Sequence, residues 1–245
     1  MSGNQNIHRI IEAVKGKRVL LLTTSNRWEG QNEIPKSTEL ARMIEEKVPN
    51  AKLIDVSKLT IYPCEGNVST RKGNQCGLSE AALQDSVKNP SGHHRCWASL
   101  NHEDDELWKV SKELLEADVV LFFASIRWGQ TNSIYQKLIE RLDWLENRWT
   151  TLGESNLLQN KEAGIIIVGH NWNGLNTLNI QKEVLKFYGF EVSESLSFNW
   201  QWTTDLFDES EEGYYKDSRD FDRAFELGPK WLSESYKNWF EQNGL

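Results

Sequence analysis

Four apolar runs constrain this chain more than any other feature: RVLLLTT (18–24), AKLIDV (51–56), DVVLFFA (118–124) and EAGIIIVG (162–169). Each has the length of a strand, and between them the apolar spacing changes to the rhythm of a helix. Leu40, Met43, Ile44 and Val48 form one such stripe, Leu107, Val110 and Leu114 a second, and Ile134, Leu138, Ile139, Leu142 and Leu145 a third. A fourth helix is expected over NGLNTLNIQKEVLKFYG (173–189), and FEVSESLSFNW (190–200) alternates like a last strand with one wetter face. Strands alternating with crossover helices predict an α/β fold, a doubly wound five-stranded parallel sheet, because each right-handed crossover buries its helix against a sheet face.

The 245 residues suit one domain, with a core over 17–200, an insertion over 57–102 and an extension over 203–245. Ile7, Ile10, Ile11 and Val14 mark a short first helix, with Gly16 as its stop. In the insertion after strand 2 periodicity disappears among Gly66, Gly73, Gly77, Pro90, Gly92 and all three cysteines. A structureless loop of that length is functional or hides short helices, LSEAALQDSV (78–87) being the candidate. Residues 205–226 carry nine acids against three bases and read as a solvated surface. AFELGPKWLSESYKNWF then reads as a C-terminal helical tail, with Phe225, Trp231, Tyr236 and Trp239 free to pack on the domain or on a second subunit.

A formal charge of −8 and a pI near 5.3 argue against a general grip on nucleic acid or an anionic membrane. No run approaches the ~20 apolar residues of a membrane span, and MSGNQNIHRIIEAVKGK lacks the order of a signal peptide. Three cysteines make no disulfide scaffold, so a reducing, cytoplasmic setting is expected. Eleven tryptophans point to a rigid aromatic core or to a pocket wall.

In an open parallel sheet, ligands sit beyond the carboxyl ends of the strands where the winding reverses. Three loops reach that edge. TTSNRWEGQNEIPKST (23–38) runs into a helix N-terminus, whose N–H groups and partial positive charge accept a phosphate, with Ser25, Asn26, Arg27, Ser37 and Thr38 as further donors. The competing reading is that Ser37 or Thr38 caps the helix. Glu29 and Glu33 must point away from any phosphate. Ser125, Ile126, Arg127, Trp128, Gly129 and Gln130 close the next strand; the indole offers a flat face, the guanidinium a charge and the glycine a close backbone approach. Gly169, His170, Asn171, Trp172 and Gly174 bracket the third loop, where Asn173 and Asn176 also serve as turn or cap residues.

This arrangement resembles the NAD(P)H-dependent FMN reductase and multimeric-flavodoxin branch of the flavodoxin-like fold over roughly 17–200. In that family a Ser/Arg/Asn/Thr phosphate loop follows the first strand. The third strand commonly ends Pro-x-Tyr-Trp-Gly, before a helix of the type seen in SIYQKLIERLDW. Ser125 replaces the usual proline, Arg127 the frequent tyrosine, and the first loop is longer. The resemblance implies strand order 2-1-3-4-5, bound FMN, NADPH or NADH as co-substrate, a small-molecule electron acceptor such as a quinone or flavin, and a homodimer or homotetramer. Related iron–sulfur flavoproteins carry four cysteines just after the second strand, where only Cys64 and Cys76 remain, with Cys96 distant. Four thiolates are the usual demand of a cluster. A zinc site from these thiols with His93, His94 or His102 has no recognisable spacing. No metal is expected, and the thiols read as buried and inert.

The resemblance implies an FMN-dependent NAD(P)H oxidoreductase that needs no dedicated acid or base, with Arg127 and His170 as candidates to stabilise charge on the flavin. Two rivals are an FMN electron carrier without nicotinamide turnover and a flavin-free α/β hydrolase; no GxSxG elbow is present for the latter.

Overall fold

The structure, a computed structural model, describes residues 5–26, 34–169 and 173–201. Arg27, Glu29, Glu33, His170, Asn171 and Trp172, with the acid-rich stretch and the aromatic tail, lie outside the described residues. The chain begins α1 (Gln5–Ala13), β1 (Val19–Thr23), α2 (Lys36–Lys47) and β2 (Ala51–Asp55). After the insertion come α3 (Trp97–Asn101), α4 (Leu107–Glu116), β3 (Val119–Arg127), β4 (Gln130–Thr131), α5 (Ser133–Thr150) and β5 (Glu162–Gly169). It ends with α6 (Gly174–Tyr188), β6 (Glu191–Val192) and β7 (Phe198–Gln201). The sheet runs β2-β1-β3-β5, then β6 and β7 beside β5, all parallel, with β4 antiparallel on β3. This is the flavodoxin-like winding.

Seven strands replace the expected five for two reasons. The tip of β3 folds back as the two-residue β4, and the fifth strand is broken. Glu191 lies opposite Glu162 but Phe198 opposite Ile166, so the outer strand advances seven residues while β5 advances four. The surplus winds into a 3-10 turn at Glu194–Leu196 that presses over Gly164, where a Cβ would come within 2.3 Å of the Leu196 carbonyl. Ser197 Oγ accepts from the stranded Ile165 N–H at 3.2 Å, so the break leaves that donor satisfied. Gly164→Ala is therefore expected to cost about 1–3 kcal/mol or more by overpacking, read from urea unfolding.

Both faces of the sheet are covered, which is why the runs are apolar throughout. Val120, Phe122, Ala124, Ile165 and Ile167 pack with α4, α5 and α6; Val119, Leu121, Phe123, Ile166 and Val168 pack with α1 and α2. Trp144 and Trp200 are buried core indoles, whereas Trp128 is 86% exposed. No helix among the described residues is long and apolar enough to cross a membrane.

The insertion is not structureless. LSEAALQDSV holds only a 3-10 turn at Ser79–Ala81, and Val87 stands exposed; the helix of this region is α3 instead. Polar side chains bind the rest to α5. Asn147 donates to the Cys76 carbonyl at 2.6 Å, and Arg148 Nη1 to the His93 carbonyl at 3.0 Å. At the centre the fully buried Arg141 meets Asp105 through Nη1 at 2.8 Å and Nη2 at 3.0 Å, and also donates to the Tyr62 carbonyl and to Ser99 Oγ. Ser99 in turn donates to Asp105 Oδ1 at 2.9 Å. With that proton spent, the 2.9 Å contact to His94 requires Nε2 to donate, so Nδ1 accepts from Ser111 at 2.8 Å.

Cys76 and Cys96 are buried, and Cys64 is half-buried. Burial, then the Asp143 charge, pushes the Cys76 thiol far above its ordinary range; burial also raises Cys64. Such thiols carry little thiolate. Among the described residues, no three His, Cys, Asp or Glu side chains gather as a metal ion would need.

Candidate functional site

Because β1, β3 and β5 are parallel neighbours, their carboxyl ends share one edge. The winding also reverses between β1 and β3, since the chain leaves β1 for β2 on one side and reaches β3 on the other. A crevice opens at such a reversal.

The first loop returns to its own strand. Ser37, in the opening turn of α2, donates to Ser25 Oγ at 2.8 Å, leaving the Ser25 proton to donate elsewhere. The N-cap of α2 is Pro35, with no side-chain cap bond, so neither Ser37 nor Thr38 is the cap. Both are buried inside the first turn, and Thr38 Oγ1 has no hydrogen-bond partner among the described residues. Asn26 is exposed at the rim.

The second segment is strand where the sequence suggests loop. Ser125, Ile126 and Arg127 all belong to β3, with Ser125 opposite Val168, and the turn itself is only Trp128-Gly129. Both turn residues have positive φ, 51° and 69°, as a two-residue hairpin between Arg127 and Gln130 favours. Glycine meets this freely; for tryptophan it is an outlier that costs about 1–3 kcal/mol. The strained indole is also the most exposed large apolar side chain among the described residues. Arg127 is exposed beside it, with Nη1 donating to the Ile126 carbonyl at 3.0 Å, and Gln130 is exposed as well. Ser125 Oγ is buried without a partner among the described residues.

Two sets of hydrogen bonds lace the segments together. Asn132, the N-cap of α5, donates through Nδ2 to the Thr24 carbonyl at 2.8 Å and accepts at Oδ1 from Ser125 N–H at 3.1 Å, joining the ends of β1 and β3. Asn173 Nδ2 and Thr177 Oγ1 both donate to the Gly129 carbonyl, at 2.7 and 3.0 Å, joining the hairpin to the start of α6. Asn173 is the N-cap of α6 with φ 71°. Gly169 and Gly174 make room rather than bonds. A Cβ on Gly169 would meet Ile126 at 2.8 Å, and one on Gly174 would meet the Asn199 amide at 2.4 Å.

Thr24, Asn132, Asn173 and Thr177 thus frame the edge, and sequence patterning singles out only Asn173 among them. The signal for Asn132 was its place directly before an apolar helical stripe. The insertion is anchored along α5. Its anchors Arg141, Asn147 and Arg148 lie in later turns of α5, which starts at the edge and runs away from it.

No known family profile and no curated protein matches the chain. Among solved structures it resembles RosB with a bound 8-demethyl-8-formylriboflavin-5'-phosphate intermediate, at 17% identity and TM-score 0.49, covering 76% of this chain and 65% of that one. The chain thus spans less than two thirds of RosB. It resembles the apo form of the NADH:FMN oxidoreductase EMOB at 14% identity and TM-score 0.42, covering 74% of each chain. FerB, a flavoenzyme NAD(P)H:(acceptor) oxidoreductase from Paracoccus denitrificans, aligns at 15% identity and TM-score 0.44 over 93% of this chain and 98% of its own. Likenesses of this strength say nothing about chemistry.

Proposed function

We propose that the crevice binds FMN and that the protein passes electrons from NADPH or NADH through it to a small acceptor. One observation carries the reading: at the switch point of the sheet, three buried hydroxyls stand without partners among the described residues, Thr23 Oγ1 at the end of β1, Thr38 Oγ1 in the first turn of α2 and Ser125 Oγ at the end of β3. An unmet buried hydroxyl has a free-energy cost that a polar ligand removes. We assign Thr38 to the phosphate end of a phosphorylated ring and Ser125 to its polar edge. In this reading the first turn of α2, with Ser25 and Thr38, takes the phosphate without a lysine cluster. Ser125 and the neighbouring backbone meet the polar edge of the ring, Trp128 covers a face, and Arg127 favours negative charge as it develops. Bound FMN supplies the redox chemistry, while the chain's residues orient the ring, exclude water and hold charge. Arg27, His170, Asn171 and Trp172 complete the proposed contacts, and homodimeric or homotetrameric assembly belongs to the same reading.

The test is a titration of the purified protein with FMN, followed by anaerobic addition of NADPH. Quenched flavin fluorescence on binding and bleaching of the flavin's visible absorption on reduction are the expected results; a protein that binds no FMN removes the proposal. A variant separates a binding role of Trp128 from a packing role. Asparagine tolerates positive φ far better, so Trp128→Asn is expected to raise stability by about 1 kcal/mol. Loss of the indole is expected to weaken FMN about two- to tenfold. Reduced stability with unchanged affinity would assign Trp128 to the fold instead.

A further inference from the structure

We propose that Asn132 is a positioning residue that couples the phosphate end of the site to its ring end, an inference that rests on the flavin reading above. Among the described residues outside β1 and β3, its carboxamide is the one side chain bonded to both strand ends. Nδ2 donates to the Thr24 carbonyl at 2.8 Å, Oδ1 accepts from Ser125 N–H at 3.1 Å, and the Thr24 hydroxyl lies 3.1 Å from the same oxygen. That hydroxyl also lies 2.8 Å from the Phe123 carbonyl, so its single proton serves one acceptor at a time. The Asn132 backbone N–H donates to the Ser125 carbonyl at 2.9 Å, closing a ring of bonds around Ser125. The amide has one permissible orientation, because a carbonyl can only accept and an N–H can only donate.

The two strand ends carry different halves of the site. Thr24 leads directly into Ser25, which is bonded to the first turn of α2. Ser125 carries the unpartnered hydroxyl at the other half and leads into the strained hairpin. Asn132 is 5% exposed, and its carboxamide hydrogen bonds go to the two strand ends, so its role is to position the groups there. It fixes the distance between them. A ligand that orders one strand end therefore orders the other through this amide, and the second half of the ligand binds at a smaller ordering cost.

The experiment measures that coupling in the full chain. Riboflavin is titrated with and without saturating inorganic phosphate, and FMN separately, for wild type, Asn132→Ala and Asn132→Asp. In wild type, phosphate is expected to tighten riboflavin. In Asn132→Ala that tightening is expected to vanish, FMN to weaken about 5- to 150-fold, and riboflavin alone to weaken much less. Asn132→Asp keeps the side chain's size but sets a carboxylate oxygen against the Thr24 carbonyl, and is expected to lose the coupling as well. The proposal is overturned if phosphate leaves riboflavin unchanged in wild type, or if either variant keeps the wild-type coupling. It is also overturned if all three ligands weaken only in step with a loss of folded protein. A wild type that binds no flavin refutes the flavin reading; the clamp is then judged by amide hydrogen exchange. Asn132→Ala is expected to speed exchange at residues 24–26 and 125–127 together while Leu21 and Leu121 stay protected, and unchanged protection at the strand ends overturns it.

Discussion

Asp105→Ala is expected to cost about 3–5 kcal/mol, because it leaves the guanidinium of Arg141 buried without its counter-charge. Both side chains are fully buried, and the carboxylate also receives Tyr62 N–H at 3.1 Å and the Ser99 hydroxyl. The loss is read from urea unfolding. The insertion should open first, since Arg141 holds the Tyr62 carbonyl and Ser99 as well as Asp105. A double variant, Asp105→Ala with Arg141→Met, is expected to be less damaged than Asp105→Ala, because no buried charge is then left alone. A single-variant loss under about 1 kcal/mol would refute a dry ion pair, since that is the range of solvated ones. Burial works to raise the Asp105 carboxyl, but the hydrogen bonds and charge of Arg141, with the other donors, outweigh it and hold the group below its ordinary range. A depressed carboxyl stabilises the fold above its unfolded value of about 4, and that contribution fades only as pH falls further, through the folded value.

A second loss is expected at milder acidity. Burial, then the Arg141 charge, lowers His94 from 6.5 to about 4. Between those values the unfolded chain takes up a proton that the folded one refuses, so stability rises with pH across this window and falls on acidification. For one such histidine the decline is about 3 kcal/mol from pH 6.5 to 4. Unfolding free energies measured at half-unit steps should show it, and His94→Gln, which has no proton to gain, should give a flatter profile. Equal slopes in the two proteins would mean that His94 protonates without unfolding. Its two serine contacts, to Ser99 and Ser111, would then be able to turn and accept from an imidazolium.

The layers were legible because they rest on local periodicity; the strand order, which depends on pairing between distant segments, was expected only from the family resemblance. Alternate residues of β3 serve opposite faces, and an uninterrupted run such as VVLFFA needs helices on both. The site was legible only as three loops. Ser125 and Arg127 look like the start of a loop because they are polar, yet pairing continues through them to Val168 and Gln130, and pairing depends on distant residues. The helical stripe of α5 left Arg141 unmarked; it is buried only because Asp105, 36 residues earlier, meets it. The break in the last strand was hidden for the same reason, since alternation in FEVSESLSFNW carries no trace of the glycine at 164 against which Leu196 lies. Asn132 drew no expectation from the sequence; it is the N-cap of α5 by position, and its side chain spans two strand ends.

The interrupted outer strand also changes what the border of the sheet offers to another strand. Beyond β5, the described rim is interrupted by a turn between β6 and β7, so a foreign chain paired with one piece would fall out of register on the other. Among the described residues, that break hinders sheet-to-sheet extension, the usual first step toward fibrous aggregates, by geometry rather than by charge.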